Sequence, residues 1–435
     1  MKQHPAAERL TSTRRDIGFW GVVAIGVGGM VGGGIFAVLG LAADLARGAT
    51  PLAFLCSGLV ALVTAYSYSK LTVALPSQGG TVVFLDRAFG VDLLTGTINN
   101  LLWVSYIVTL SLYTVAFASY LETFFSVGAL GHHLIVTAGI VVPTILNLTG
   151  PKLISRTETA VVGIKVVILV VVIFFGLRGV DWSRLAPSHW ESGLSIIGAG
   201  MLIFVAYEGF ELIANTAPEV EDFENTLPRA YLFTLLSVIV LYVLIAMVTV
   251  GTLSPSKIQQ AQDFALAAAA KPTLGKAGFT LVAVAAILAT FSAINATLYG
   301  SARLAASIAA EDELPGFLQK RVWNQPLIGL LFTAGPAILL ANTVDLASIS
   351  TMGSAGFLII FAGVNAAGLK LSDSIGCSRA LCGTGVLMCL SALAALIWHA
   401  YQEQPHSLVY LAGLLLTALT VEALYRGSRS LAASS

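Results

Sequence analysis

Three ionisable residues stand inside long apolar runs: Lys165 in "ETAVVGIKVVILVVVIFFG", and Glu208 and Glu211 in "FVAYEGFEL". At membrane depth such a side chain is costly unless it faces a partner or a watery cavity, so each marks a candidate site. A fourth feature is "GGMVGGGIF", residues 28 to 36, where Gly28, Gly29, Gly32, Gly33 and Gly34 interrupt a hydrophobic stretch. Each glycine costs about 1 kcal/mol of helix stability relative to alanine, so together they remove most of the local preference for helix. An unwound segment frees N–H groups that suit a carboxylate and carbonyls that suit an ammonium or a cation. Without a Cβ, a ligand can touch that backbone directly. An α-amino acid carries both groups a short distance apart.

The elements that must position these groups are membrane spans. The chain is 57% hydrophobic and 11% charged, with a mean hydropathy of +0.86. Its apolar runs repeatedly exceed the roughly 18 residues that mark a bilayer span. Twelve spans are expected, near 17–46, 50–75, 91–125, 132–149, 157–177, 193–217, 229–252, 277–308, 327–343, 346–370, 380–399 and 406–425. Lysines and arginines divide unevenly over the connecting segments, sixteen on the side of the N-terminus against six on the other, with Lys165 inside a span. That bias predicts both termini in the cytoplasm and an even number of spans. No cleavable leader is expected, because a long polar lead precedes a span too long for one. Cys56, Cys377, Cys382 and Cys389 show no CxxC pair, so neither a disulfide framework nor a zinc site is expected. With no net charge and no basic patch, nucleic-acid binding has no support. No cofactor is implied.

The glycine stretch has three readings. Gly32, Gly34 and Ala37 fit a dinucleotide fingerprint, but that needs a preceding strand and a βαβ unit, which the sequence does not offer. Gly28 with Gly32, and Gly29 with Gly33, form G-x-x-x-G pairs that admit a neighbouring helix. The third reading is a broken helix, which at membrane depth belongs beside protein or a watery cavity. Gly209, flanked by Glu208 and Glu211, interrupts the sixth span in the same way. The first and sixth spans hold the same place in two successive groups of five. Paired interruptions at corresponding positions point to an inverted-repeat transporter with its site near the midplane. The expected fold is therefore an all-α integral membrane protein, a single transporter domain over 1–435. It would hold a 5+5 inverted repeat (17–177 and 189–370) and two C-terminal helices (376–425), with helices 1 and 6 broken.

Lys165 lies about eight residues from the nearer end of its span, roughly 12 Å deep at ~1.5 Å per residue. Snorkelling from that depth is poor. Withdrawal from water favours the neutral form of an amine, so such a lysine can release a proton during a cycle. A fixed ammonium could equally occupy the place of a sodium ion, or be held by carbonyls for structure alone. Glu208 has two readings, contact with a substrate amine and a structural or gating role; Glu211 belongs to the same break. If Glu208 faces the pocket, substrates with a second positive charge become more plausible.

These residues carry a resemblance to the amino acid, polyamine and organocation transporter superfamily that extends over nearly all twelve spans. "MVGGGIF" resembles its first-helix G-x-G-I-F signature. "PSQGGTVVFLDRAFG", from Pro76 to Gly90, resembles its inner loop, and "AYEGFELIANTAPEVEDFENTLPRA", from Ala206 to Ala230, its broken sixth helix. "EDELPGFLQKRV", from Glu311 to Val322, resembles the acidic loop after helix eight. The resemblance implies alternating access around the two broken helices. It implies that amides near Gly32, Gly33 and Gly34 bind the substrate carboxylate. Carbonyls of Met30 and Val31, with those around Phe204, Ala206 and Tyr207, would receive the amino group, and Phe204 and Tyr207 would lid the pocket. Some proton-coupled relatives carry a lysine on the fifth helix, where sodium-coupled members bind a cation between helices one and eight. Lys165 matches that placement, with Ser292 as a possible neighbour. Two departures stand out: Val83 and Phe84 where tyrosines are frequent, and Glu208 where a hydrophobic residue is usual.

The expected activity is secondary active amino acid transport across the cell inner (plasma) membrane, proton-coupled through Lys165. The partners are an amino acid, protons and the lipid bilayer. An amino acid or polyamine exchanger and a sodium-coupled carrier are the neighbouring alternatives. A membrane-embedded enzyme would need a denser set of buried reactive groups, and a channel would need a repeated polar face. Other polar features have plainer readings. His132, His133, His189 and His406 fall in loops or at span edges. Trp103, Tyr106, Tyr113 and Tyr120 share helical spacing on the third span and read as packing. "SPSKIQQAQDFALAAAAKPTLG" reads as a long outer loop of helix-forming composition, able to cover the outer entrance, and "PEVEDFENTLP" as a solvated cytoplasmic connector.

Overall fold

A computed structural model describes residues 15–149, 152–310, 314 and 327–434. Apart from Leu314, the acidic Glu311–Val322 segment lies outside the described residues, as does the polar lead 1–14.

The first expected span is two helices, α1 (Phe19–Met30) and α2 (Gly34–Ala46), which meet at 49° across the glycines. Then come α3 (Thr50–Ala74), α4 (Thr81–Phe89), α5 (Leu93–Glu122), α6 (Ala129–Thr149) and α7 (Lys152–Gly176). The sixth span begins as α8 (Gly193–Leu202) and also turns by 49°. The rest of the chain forms α9 (Phe223–Thr252), α10 (Pro255–Gln260), α11 (Ala265–Ala310), α12 (Leu327–Thr343), α13 (Leu346–Lys370), α14 (Ser372–Ile375), α15 (Arg379–Glu403) and α16 (Pro405–Ser434). Among the described residues nine helices are long and apolar enough to cross a membrane, eleven spans counting each bent pair as one. The shorter apolar α12 takes the remaining expected place.

Local chemistry sets the helix starts. Asp92 accepts from the Thr95 amide at 2.9 Å and Asp345 from the Ser348 amide at 2.9 Å, each supplying an acceptor to a donor that a helix N-terminus leaves unpaired. Two expectations change in detail. The polar run after α9 folds as α10, a 3-10 turn (Gln262–Phe264) and the first arm of α11, which Gly275 (φ 65°) separates from the long arm. That turn seats on α2, where the Gln262 backbone fills the space a side chain at Gly40 would need. Cys377 and Cys382, at the corner between α14 and α15, bring their sulfurs together beside the turn at Gly376 (φ 63°), a local pairing across five residues where none was expected.

Helices α5 and α13 form the centre, with 83% and 89% of their apolar windows buried, against 28% for α6, α15 and α16 at the rim. Around them the packing pairs up. The fifth span α7 lies on α11 as the tenth span α13 lies on α5, α6 on α11 as α12 on α5, and α1 on α9 as α8 on α3.

One polar cluster fastens the last helix. Glu422 of α16 is fully buried, takes a hydrogen bond from Asn100 at 2.9 Å and pairs with the half-buried Arg426 at 2.5 Å. Removing one partner of a buried pair strands a charge. Arg426→Ala is therefore expected to lower the melting temperature of the purified protein, a cost of about 1–3 kcal/mol because the arginine is part-exposed. Adding Glu422→Gln to that variant should restore much of the loss. A double variant less stable than the single one would contradict this account.

Candidate functional site: the crossing of two broken helices

The two interruptions touch each other. A Cβ built on Gly29 would lie 2.8 Å from the Gly209 carbonyl oxygen, and one on Gly209 would lie 2.5 Å from the Gly29 carbonyl carbon. Further along, a Cβ on Gly34 would stand 2.8 Å from the Ala206 Cα. Glycine is needed here so that two backbones can meet without side chains between them. Gly209 also turns the chain through a left-handed conformation (φ 113°). Beyond it the span continues as a 3-10 segment, Phe210–Glu219. Two backbone hydrogen bonds tie the ends: the Ile17 amide donates to Glu219 at 3.1 Å and the Glu221 amide to Ile17 at 3.0 Å.

Neighbouring side chains satisfy the backbone groups that the breaks release. Ser350 and Ser354 of α13 donate to the Leu202 carbonyl at 2.6 and 2.8 Å, and Ser354 accepts from the Val205 amide at 2.9 Å. The Tyr242 hydroxyl of α9 lies 2.7 Å from the Met30 carbonyl and 3.2 Å from that of Ala206. A break in apolar surroundings is stable only when its freed groups are met in this way.

A cavity of about 820 Å³ lies against the crossing, within the roughly 300–1,000 Å³ of small-molecule sites. Asp16, Ile17 and Trp20 at the start of α1 line it, as do Gly79 and Thr81 and, from α11, Gly300 and Leu304, so it reaches the face where α1 begins. Deeper in, Gly28, Gly29, Lys165, Glu208, Glu211 and Ser292 line the same space. Lys165 is 3% exposed, and its Nζ donates to the Gly28 carbonyl at 3.1 Å. A lysine of the fifth span thus reaches into the break of the first.

The two carboxylates are buried and differently engaged. Glu211 is used on both sides: Tyr106 donates to Oε1 at 2.9 Å and the Gly209 amide to Oε2 at 2.8 Å. It thereby caps the 3-10 segment. Glu208 takes one hydrogen bond, from the Tyr113 hydroxyl to Oε2 at 2.9 Å. The Tyr113 ring lies against Gly33, in the space a side chain there would occupy.

Of the residues singled out from sequence for the site, the cavity gathers Gly28, Gly29, Lys165, Glu208, Glu211 and Ser292. Met30, Val31, Gly32, Gly33, Gly34, Phe204, Ala206 and Tyr207 lie within the packed crossing and do not line it. Tyr207 donates to the Phe54 carbonyl at 2.8 Å, and the Phe204 ring stacks edge-on against Phe361. Sequence reasoning assigned Tyr106 and Tyr113 to packing, whereas both line the cavity and bind its carboxylates. The available signal was their seven-residue spacing, two turns on one face of α5, opposite carboxylates three residues apart. Tyr242 carried no such signal.

The amino acid permease family matches residues 17–419, and the chain belongs to it. It is 32% identical to the inner membrane transport protein YbaT of Escherichia coli over 410 residues, covering 94% of this chain and 95% of that protein. It is equally 32% identical to an uncharacterized protein of Methanocaldococcus jannaschii, over 95% of both chains. The branched-chain amino acid permease BcaP of Bacillus subtilis is 25% identical over 391 residues, 83% of this chain and 81% of the other. The protein is thus a multi-pass membrane transporter rather than an enzyme.

Proposed function

We propose that this chain is a secondary active amino acid transporter of the cell inner membrane, coupled to protons through Lys165 and working by alternating access. The observation that carries the coupling is the Lys165 ammonium at 3.1 Å from the Gly28 carbonyl, on the wall of the cavity that Ser292 shares. A carbonyl at the C-terminal end of a half-helix is a cation ligand, and here the chain supplies the cation itself. An amine able to lose its proton makes that positive charge dependent on the proton supply.

The packing supports two inverted repeats, 17–177 and 189–370, followed by the helices of 376–425. Exchanging each span for the one five later converts the α7–α11 contact into α13–α5, α6–α11 into α12–α5, and α1–α9 into α8–α3. With both termini cytoplasmic, the cavity opens inward, and the turn seated on Gly40 closes the outer side. The substrate carboxylate is received by amides near Gly32, Gly33 and Gly34. Its amino group is received by carbonyls of Met30, Val31, Phe204, Ala206 and Tyr207. In this inward-facing form Tyr242 occupies two of those carbonyls and Tyr113 covers Gly33, so the site is shut by its own tyrosines.

Uptake of radiolabelled amino acids into liposomes carrying the purified protein tests this reading. A gradient acidic outside should drive accumulation that a protonophore abolishes, at the same rate with sodium or choline. Accumulation that requires sodium would replace the proton with a sodium ion. Strict one-for-one exchange that ignores both gradients would make the protein an exchanger.

A further inference from the structure

We infer that Glu208 binds a second cationic group on the substrate, so that the preferred amino acid carries a positively charged side chain; this rests on the amino acid transporter reading above. Both oxygens of Glu211 are held by the chain, Oε1 by Tyr106 and Oε2 by the Gly209 amide. Glu208 differs: Tyr113 holds Oε2, and Oε1 has no hydrogen-bond partner among the described residues. The side chain is 4% exposed and lines the cavity. That oxygen is not sealed off by protein but opens on the cavity, where the strongest partner for a carboxylate is a charged donor. Among the described residues, Asp16, Glu208 and Glu211 supply three carboxylates to the cavity wall against one ammonium, that of Lys165.

Position supports the same conclusion. Glu208 directly precedes Gly209, which touches Gly29, so it adjoins the crossing where the α-carboxylate and α-amino group are received. The Tyr113 hydroxyl fixes the orientation of the carboxylate, which makes Tyr113 a positioning residue.

The test compares arginine with citrulline, which has nearly the same shape and replaces the guanidinium by a neutral urea. Initial uptake rates are measured in proteoliposomes of the full chain, for the parent and for Glu208→Gln. The parent is expected to favour arginine over citrulline by about tenfold or more in kcat/KM, the range of one charge-assisted hydrogen bond. Glu208→Gln should shrink that ratio toward one, mainly through the KM for arginine. A parent that takes both equally, or favours citrulline, overturns the inference while leaving amino acid transport standing. A variant in which both rates fall in step overturns it too, since the glutamate would then be structural. If the variant does not fold, the parent's ratio decides alone. Failure to move these or any other amino acid defeats the transport reading itself.

Discussion

Gly209→Ala should abolish transport and leave a markedly less stable protein. Its φ of 113° is open to glycine and closed to ordinary L-residues. The added Cβ would also stand 2.5 Å from the Gly29 carbonyl carbon and 2.7 Å from the Met30 amide nitrogen. Both are backbone atoms, so no rotamer change relieves the overlap. Strain of about 1–2 kcal/mol from the dihedral and about 1–3 from overpacking add at one point, which puts the total near the severe end for a single substitution. In the proposed alternating-access cycle the crossing of the two breaks is the pivot between the halves, so the expected effect on transport is larger still. Gly163→Ala is the matching control: nothing lies within 4 Å of the place its Cβ would take on the exposed face of α7. There alanine gains up to about 1 kcal/mol of helix preference. Thermal melting and uptake of the two variants side by side decide the matter. If Gly209→Ala melts and transports like Gly163→Ala, the close crossing is wrong.

The span pattern was legible in the sequence because lipid demands a long apolar run and a backbone that satisfies itself. Five glycines in "GGMVGGGIF", and a glycine between two carboxylates in "YEGFE", violate that demand openly, so both breaks could be read before any contact was known. Lys165 was legible for the same reason, as a charge with no cheap place to be. What stayed hidden depends on rotation and partnership. Glu208 and Glu211 look alike in sequence, yet Gly209 turns the chain so that Glu211 bends back to its own backbone while Glu208 keeps an oxygen for the cavity. Tyr113 reaches Glu208 across 95 positions, and no local pattern encodes such a meeting. The 3-10 form of Phe210–Glu219 was hidden too, as no residue pattern there distinguishes it from an α-helix.

Lys165→Ala is expected to uncouple the protein: proton-driven accumulation is lost, while exchange of labelled for unlabelled substrate falls much less. Lys165 contributes a charge at 3.1 Å from the Gly28 carbonyl, and alanine leaves that carbonyl without its donor. That carbonyl is part-buried on the cavity wall, so losing the donor costs at most about 1 kcal/mol, enough to slow the cycle but not to forbid it. Accumulation is a different matter, because concentrating a solute tenfold needs about 1.4 kcal/mol from a coupled ion, which in the proposed mechanism acts at Lys165. Lys165→Arg separates charge from titration. A guanidinium keeps the positive charge and can still donate to Gly28, but it does not release a proton at any pH the protein meets. Arginine should therefore fail to restore accumulation even where it restores stability. Accumulation that survives in both variants removes Lys165 from the coupling and leaves it a structural clasp between the fifth span and the first. Accumulation restored by arginine and absent with alanine would mean that a fixed charge suffices, and the proton would have to travel by another group.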